Sequence, residues 1–184
     1  METRKDLTKK ISHFTVKRIA MLSILTALCY VGRIVFQFLP NVQPMTTILL
    51  IITLTLGVAD GLIVAMASLI LSNMVLGMGP WIFYQMLTYA IIMIFTAFVI
   101  KPLYEKKKSR LIFIIYSFLS GILFGFIISI FSAKLYGVSS FWAYYVVGIP
   151  FDLVHAAGNA GFYIILEPII APIMLKNKDR FHLN

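Results

Sequence analysis

From Leu111 to Phe131 the chain reads LIFIIYSFLSGILFGFIISIF, with no Asp, Glu, Lys, Arg or His in the run. That is the roughly 20 apolar residues needed to cross the hydrocarbon core of a bilayer as a helix. Further apolar runs of about 18 to 20 residues recur along the chain. Over 184 residues, 60% are hydrophobic and 12% charged, with a mean hydropathy of +0.93. A soluble domain of this size would have to expose much of that apolar material to water. The reading is therefore an integral membrane protein of the all-α class.

Six helices are expected, at about 17–38, 45–57, 59–77, 81–100, 111–133 and 146–174. The second is short and follows LPNVQP, whose two prolines stop one helix and start the next. GVADG (57–61), GMGP (77–80), KPLYEKKKSR (101–110) and KLYGVSSFW (134–142) read as connections. They make one membrane domain over 1–184: a cytoplasmic segment 1–16, six helices over 17–174 and a cytoplasmic tail 175–184. No linker, low-complexity segment or internal repeat stands out, so the inverted-repeat signature of many secondary transporters is not apparent.

The basic residues orient the bundle. The N-terminal segment carries Arg4, Lys5, Lys9, Lys10, Lys17 and Arg18. The 101–110 connection carries Lys101, Lys106, Lys107, Lys108 and Arg110, and the tail carries Lys176, Lys178 and Arg180. Fourteen of the sixteen Lys and Arg thus fall on one side of six spans, leaving only Arg33 and Lys134 on the other. Basic connections stay in the cytoplasm, so both termini are expected inside. The net charge of +9 serves topology first, with anionic lipid a secondary partner and nucleic acid none. The basic start resembles a signal peptide's, but the apolar run after it is too long and lacks a small-residue cleavage site, so a retained first span is expected. Cys29 is the only cysteine, which excludes an internal disulfide. It is expected to pack as a small apolar residue.

Small residues let helices approach closely in lipid. They recur in the third helix at Gly61, Ala65, Ser68 and Ser72, in the fifth at Ser117, Gly121, Gly125 and Ser129, and in the sixth at Ala157 and Gly161. Those three sets are expected to pack inside the bundle. In the first helix, Ala20, Ser23 and Ala27 form a similar stripe. Internal packing and docking of a partner membrane protein are both open for it.

The polar residues gather in the outer half. Tyr30, Arg33 and Gln37 lie late in the first helix, and Asn41, Gln43 and Thr46 follow it. Asn73 ends the third helix, while Trp81, Tyr84 and Gln85 open the fourth. Tyr136, Trp142, Tyr144 and Tyr145 precede the sixth, and Asp152, His155 and Asn159 descend into it. Spacing of i, i+3 and i+7 puts Asp152, His155 and Asn159 on one helical face, and likewise Tyr30, Arg33 and Gln37. Facing lipid would be costly for both stripes, so they are expected to line a cavity open to the outside. Local alternatives stand beside this. The Tyr and Trp residues suit an interfacial belt, and Arg33 can snorkel to headgroups. Asp152 can pair with Arg33 or Lys134, and His155 can be a hydrogen-bonded packing residue. Toward the cytoplasm, Glu167 is placed to meet Lys101 or Lys176, and Asp60 to cap a helix. No continuous polar path crosses the membrane.

The chain has no G-x-x-x-x-G-K-[ST] phosphate loop, no HExxH or Cys cluster and no G-x-S-x-G. ATP hydrolysis by a phosphate loop, a catalytic metal and serine hydrolysis are not expected of it.

Six spans in about 180 residues, the basic N-terminus, the Ala20, Ser23, Ala27 stripe and the short second helix together resemble an S-component of an energy-coupling factor (ECF) transporter. LPNVQPMTTI and LSNMVLGMGPWIFYQM are most similar to the cobalamin (vitamin B12) branch. The resemblance implies a non-enzymatic, multi-pass subunit of the bacterial cell membrane. Such a subunit captures a vitamin outside and docks on a transmembrane coupling subunit driven by two cytoplasmic ATPases. It is thought to topple in the membrane and release its cargo inside. The family's A-x-x-x-A docking pattern corresponds here to Ser23-x-x-x-Ala27, relaxed but still small. The family's substrate site, closed by the loop between the first two helices, corresponds here to a site under Leu39–Pro44. The resemblance implies no cofactor; cobalamin is cargo. Aromatics and Met would cover its corrin, Asn and Gln would meet its amides, and Arg33 would meet its phosphate. Ligation of cobalt by His155 is disfavoured against a hydrogen-bonding role. An S-component for another vitamin or precursor is the alternative within the family. Two rivals stand outside it: a stand-alone proton-coupled carrier relaying through Asp152 and His155, and an intramembrane enzyme using them as an acid–base pair.

Overall fold

The computed structural model describes residues 16–107 and 109–178. Residues 1–15, Lys108 and 179–184 lie outside the described residues, and with them nearly all of the expected N-terminal segment and most of the expected tail. The rest is helix and short turns: α1 (Val16–Val35), α2 (Met45–Thr55), α3 (Val58–Leu76), α4 (Trp81–Lys107), α5 (Arg110–Leu135) and α6 (Phe141–Lys178). Among the described residues there is no strand. Five helices are long and apolar enough to cross a membrane. The exception is α2, whose 11 residues reach only about 16 Å, half a hydrocarbon core.

Ion pairs show how the helices alternate. Arg18 in the first turn of α1 holds Asp60 in the first turn of α3 at 2.6 Å. Arg110 at the start of α5 holds Glu167 late in α6 at 2.9 Å. Odd helices therefore start where even ones finish. This is the termini end; loops 36–44, 77–80 and 136–140 make the opposite, loop end. Both pairs correct expectations. Asp60 is buried and bound to Arg18 rather than capping a helix, and Glu167 selects Arg110 over Lys101 or Lys176.

A helix that is apolar all round belongs in a core, and ten of the eleven residues of α2 are buried. Two of its hydroxyls return to its own carbonyls, Thr53 to Leu49 at 2.9 Å and Thr55 to Ile51 at 2.7 Å, while those of Thr46 and Thr47 bond to other helices, so no polar side chain there is stranded. Gly57, at φ +114°, makes the turn into α3 one residue later. From that shared turn α2 rises about 16 Å and α3 about 28 Å, leaving a gap of about 12 Å above α2. The 36–44 loop occupies it.

The closest packing joins α5 to α6. A Cβ on Gly121 would lie 2.6 Å from the Ala156 Cα, and one on Gly125 would collide with the Asp152 carboxylate. A Cβ on Gly61 of α3 would run into the Thr53 hydroxyl of α2. The stripes of α3 and α5 are thus internal, as expected, but that of α6 is not. Ala157 and Gly161 are exposed, because α6 turns Asp152, His155, Ala156 and Asn159 inward instead.

Two helices outrun their expected bounds. The basic segment after Ile100 stays helical to Lys107, since Lys, Leu and Glu are good helix formers. Pro102, which disfavours a regular α ladder, is preceded by a π-helical segment at Thr96–Ile100. The last helix begins at Phe141 and continues to Lys178 with Pro150, Pro168 and Pro172 inside it.

Candidate functional site

At the loop end, the 36–44 loop is tied down on both sides. Arg33, late in α1, donates to Gln43 Oε1 at 3.1 Å and to the Ser72 hydroxyl of α3 at 2.8 Å. Asn41 sits at φ +59°, a left-handed conformation that Asn tolerates better than most residues. Its side-chain amide donates to the Phe151 carbonyl of α6 at 2.9 Å. Arg33, Gln37, Asn41 and Gln43 line a common cavity of about 270 Å³ with Phe36, Leu39, Val42 and Leu76.

Beneath the loop lies a buried polar layer. His155 is 1% exposed, with Nδ1 2.9 Å from the Asn41 carbonyl and Nε2 3.3 Å from the Thr46 hydroxyl. Thr46 continues to the Tyr89 hydroxyl of α4 at 3.1 Å. One turn deeper, Thr47 and Ser117 both donate to the Asn159 carbonyl, at 2.9 and 3.0 Å. The Asn159 side chain is completely buried, and neither of its polar atoms has a hydrogen-bond partner among the described residues. The same holds for Asp152 Oδ2, above Gly125. Buried polar atoms are normally paired, so an unpaired carboxylate oxygen and amide on one face of α6 are the unusual features of this end. Neither Arg33 nor Lys134 forms an ion pair with Asp152 among the described residues.

The other polar residues spread out. Asn73 donates to Leu69 O and, at 3.4 Å, to Gln85 Oε1, bridging α3 and α4. Tyr84 stacks on Phe131 and Tyr145 on Phe141. Trp81 covers Gly79. Tyr30 borders an outer groove between α1 and α3, away from the recess. Tyr136, Tyr144 and Trp142 are exposed at the rim. Ser72, Thr47, Tyr89 and Ser117 take part in the polar layer without having been singled out as site residues. Their signal in sequence is a hydroxyl inside an otherwise apolar span.

On α1, Ala20, Ser23 and Ala27 are exposed. Apolar grooves flank them, one of about 440 Å³ against the end of α6 and one of about 410 Å³ against α3.

Five helices able to cross a membrane, a short core helix among them and a buried polar layer at the loop end make the chain a polytopic helical membrane protein. The chain belongs to the ECF transporter substrate-specific component family, whose model matches residues 17–167. Neither the curated proteins nor the solved structures compared with it gave a match. As a member of this family it is a transport subunit, not an enzyme, and it associates with coupling and ATPase subunits.

Proposed function

We propose that the chain captures a vitamin from outside the cell in the recess under the Leu39–Pro44 loop. Both termini lie in the cytoplasm, where fourteen of the sixteen basic residues collect. The observation that supports the reading is the buried polar layer beneath that loop, where His155 meets the Asn41 carbonyl and Asp152 and Asn159, on the same face of α6, keep unpaired polar atoms. Arg33 and the uncapped N-terminus of α2 both favour an anionic group on the ligand. The exposed Ala20, Ser23 and Ala27 face receives the coupling subunit, because small residues let a partner helix approach.

Cobalamin is the substrate favoured by the resemblance of LPNVQPMTTI and LSNMVLGMGPWIFYQM. Its phosphodiester suits Arg33, and its amides suit Asn41, Gln43 and Asn159. A corrinoid needs far more room than 270 Å³, so its entry requires the loop to lift, breaking the Asn41–Phe151 and His155–Asn41 bonds. A smaller anionic vitamin is the second reading, favoured by that same small volume. The absorption spectrum of protein purified from rich medium separates them. A bound corrinoid gives its visible bands, whereas a colourless protein that binds no added cobalamin removes cobalamin from consideration.

A further inference from the structure

At the termini end, the tips of α2, α4, α5 and α6 enclose a second cleft, of about 210 Å³. Its wall is aromatic, with Tyr104 on Phe113 at 4.3 Å and Phe113 near Tyr163 at 6.0 Å between ring centroids. Its mouth carries both signs of charge, Lys101 and Glu105 from α4 facing Arg110 and Glu167. Arg110 and Glu167 satisfy each other, and Arg110 also donates to the Ile164 carbonyl at 2.8 Å. Lys101 and Glu105 form no ion pair among the described residues. Tyr163 lines the cleft at 3% exposure, and its hydroxyl has no hydrogen-bond partner among the described residues. A buried phenol, a half-buried ammonium and an exposed carboxylate thus meet around one small cavity.

We propose that this cleft binds the headgroup of an ethanolamine phospholipid from the adjacent leaflet. Lys101 and the Tyr163 hydroxyl meet the phosphate, while Glu105 and the Tyr104 ring meet the primary ammonium. The charges of the lining cancel, which matches a zwitterion. An anionic headgroup would face Glu105 with nothing to neutralise it. A trimethylated ammonium would have no N–H to donate to Glu105. The volume suits a compact headgroup, below the roughly 300–1,000 Å³ of drug-sized sites. Leu54 and Leu175 at the edge give the acyl chains an apolar exit. The neighbouring Lys106 and Lys107 belong at a membrane–water boundary.

The test is native mass spectrometry of the full chain released from bilayers containing equal amounts of ethanolamine, glycerol and choline phospholipids with identical acyl chains. One ethanolamine lipid should be retained, about fivefold or more over the glycerol lipid. Tyr163→Phe, which removes only the hydroxyl, and Lys101→Ala should each cut that preference about three- to tenfold. Neither should change the circular-dichroism spectrum. Equal retention of the three lipids, or unaltered retention by Tyr163→Phe, overturns the proposal. So does displacement of the lipid by millimolar inorganic phosphate, which would mark a site for soluble anions.

Discussion

The stripe on α1 and the stripe on α5 look alike in sequence and meet opposite fates. Ser117, Gly121 and Gly125 are buried against α6, so closely that Cβ atoms at the two glycines would overlap Ala156 and Asp152. Ala20, Ser23 and Ala27 face outward between two apolar grooves. Small side chains lower the steric barrier to helix approach but do not choose the partner. On α5 the partner is in the same chain. On α1 no described helix covers the stripe.

Substitutions at equivalent places should separate the two. Gly121→Leu should have the largest effect, because its side chain has only the α6 backbone to displace and overpacking alone costs about 1–3 kcal/mol. Size-exclusion chromatography in detergent should show loss of the monodisperse peak. A normal peak would mean that α5 and α6 are not in contact at this glycine.

Ala27→Trp should leave folding within about 0.5 kcal/mol of the unaltered chain, as for other exposed positions. Substrate binding by the isolated subunit should persist, while uptake with coupling and ATPase subunits present drops tenfold or more, about 1.4 kcal/mol of lost association. Binding and uptake falling together would make the α1 stripe an internal surface like that of α5.

Asn159 lies on the α6 face that the α5 stripe covers. Asn159→Leu should weaken substrate affinity several-fold to some tens-fold, since a hydrogen bond contributes about 1 kcal/mol and those to charged groups about twice that. Thermal stability should hold, because the side chain has no internal hydrogen bond to lose. Unchanged affinity with lowered stability would make Asn159 a packing residue.

The smallest contrast pairs two serines. Ser117→Ala removes a donor to the Asn159 carbonyl and should cost about 1 kcal/mol in thermal unfolding. Ser23→Ala, on the exposed stripe, should cost nothing measurable. Equal costs would erase the distinction between the stripes.

Much of the candidate site was readable as residue type and spacing. Asp152, His155 and Asn159 do share one inward face, because a helix repeats every 3.6 residues regardless of its neighbours. Their partners were not readable, since those come from other helices. Arg33 turned to Gln43 and Ser72 rather than to Asp152, and His155 turned to a backbone carbonyl. Such choices depend on the rotation and depth of whole helices, and no local pattern encodes them.

By itself, then, the sequence determined a helical membrane bundle, the approximate position of every helix and the asymmetric placement of charge. In lipid the backbone must satisfy its own hydrogen bonds, which leaves long apolar runs of this kind only the helix. Tertiary structure decided that the short α2 is buried on nearly every side, and that α6 turns Ala156 rather than Ala157 inward. It also decided which of two similar stripes is already filled. Those outcomes depend on which surfaces meet, and burial of one helix is defined only by the others around it.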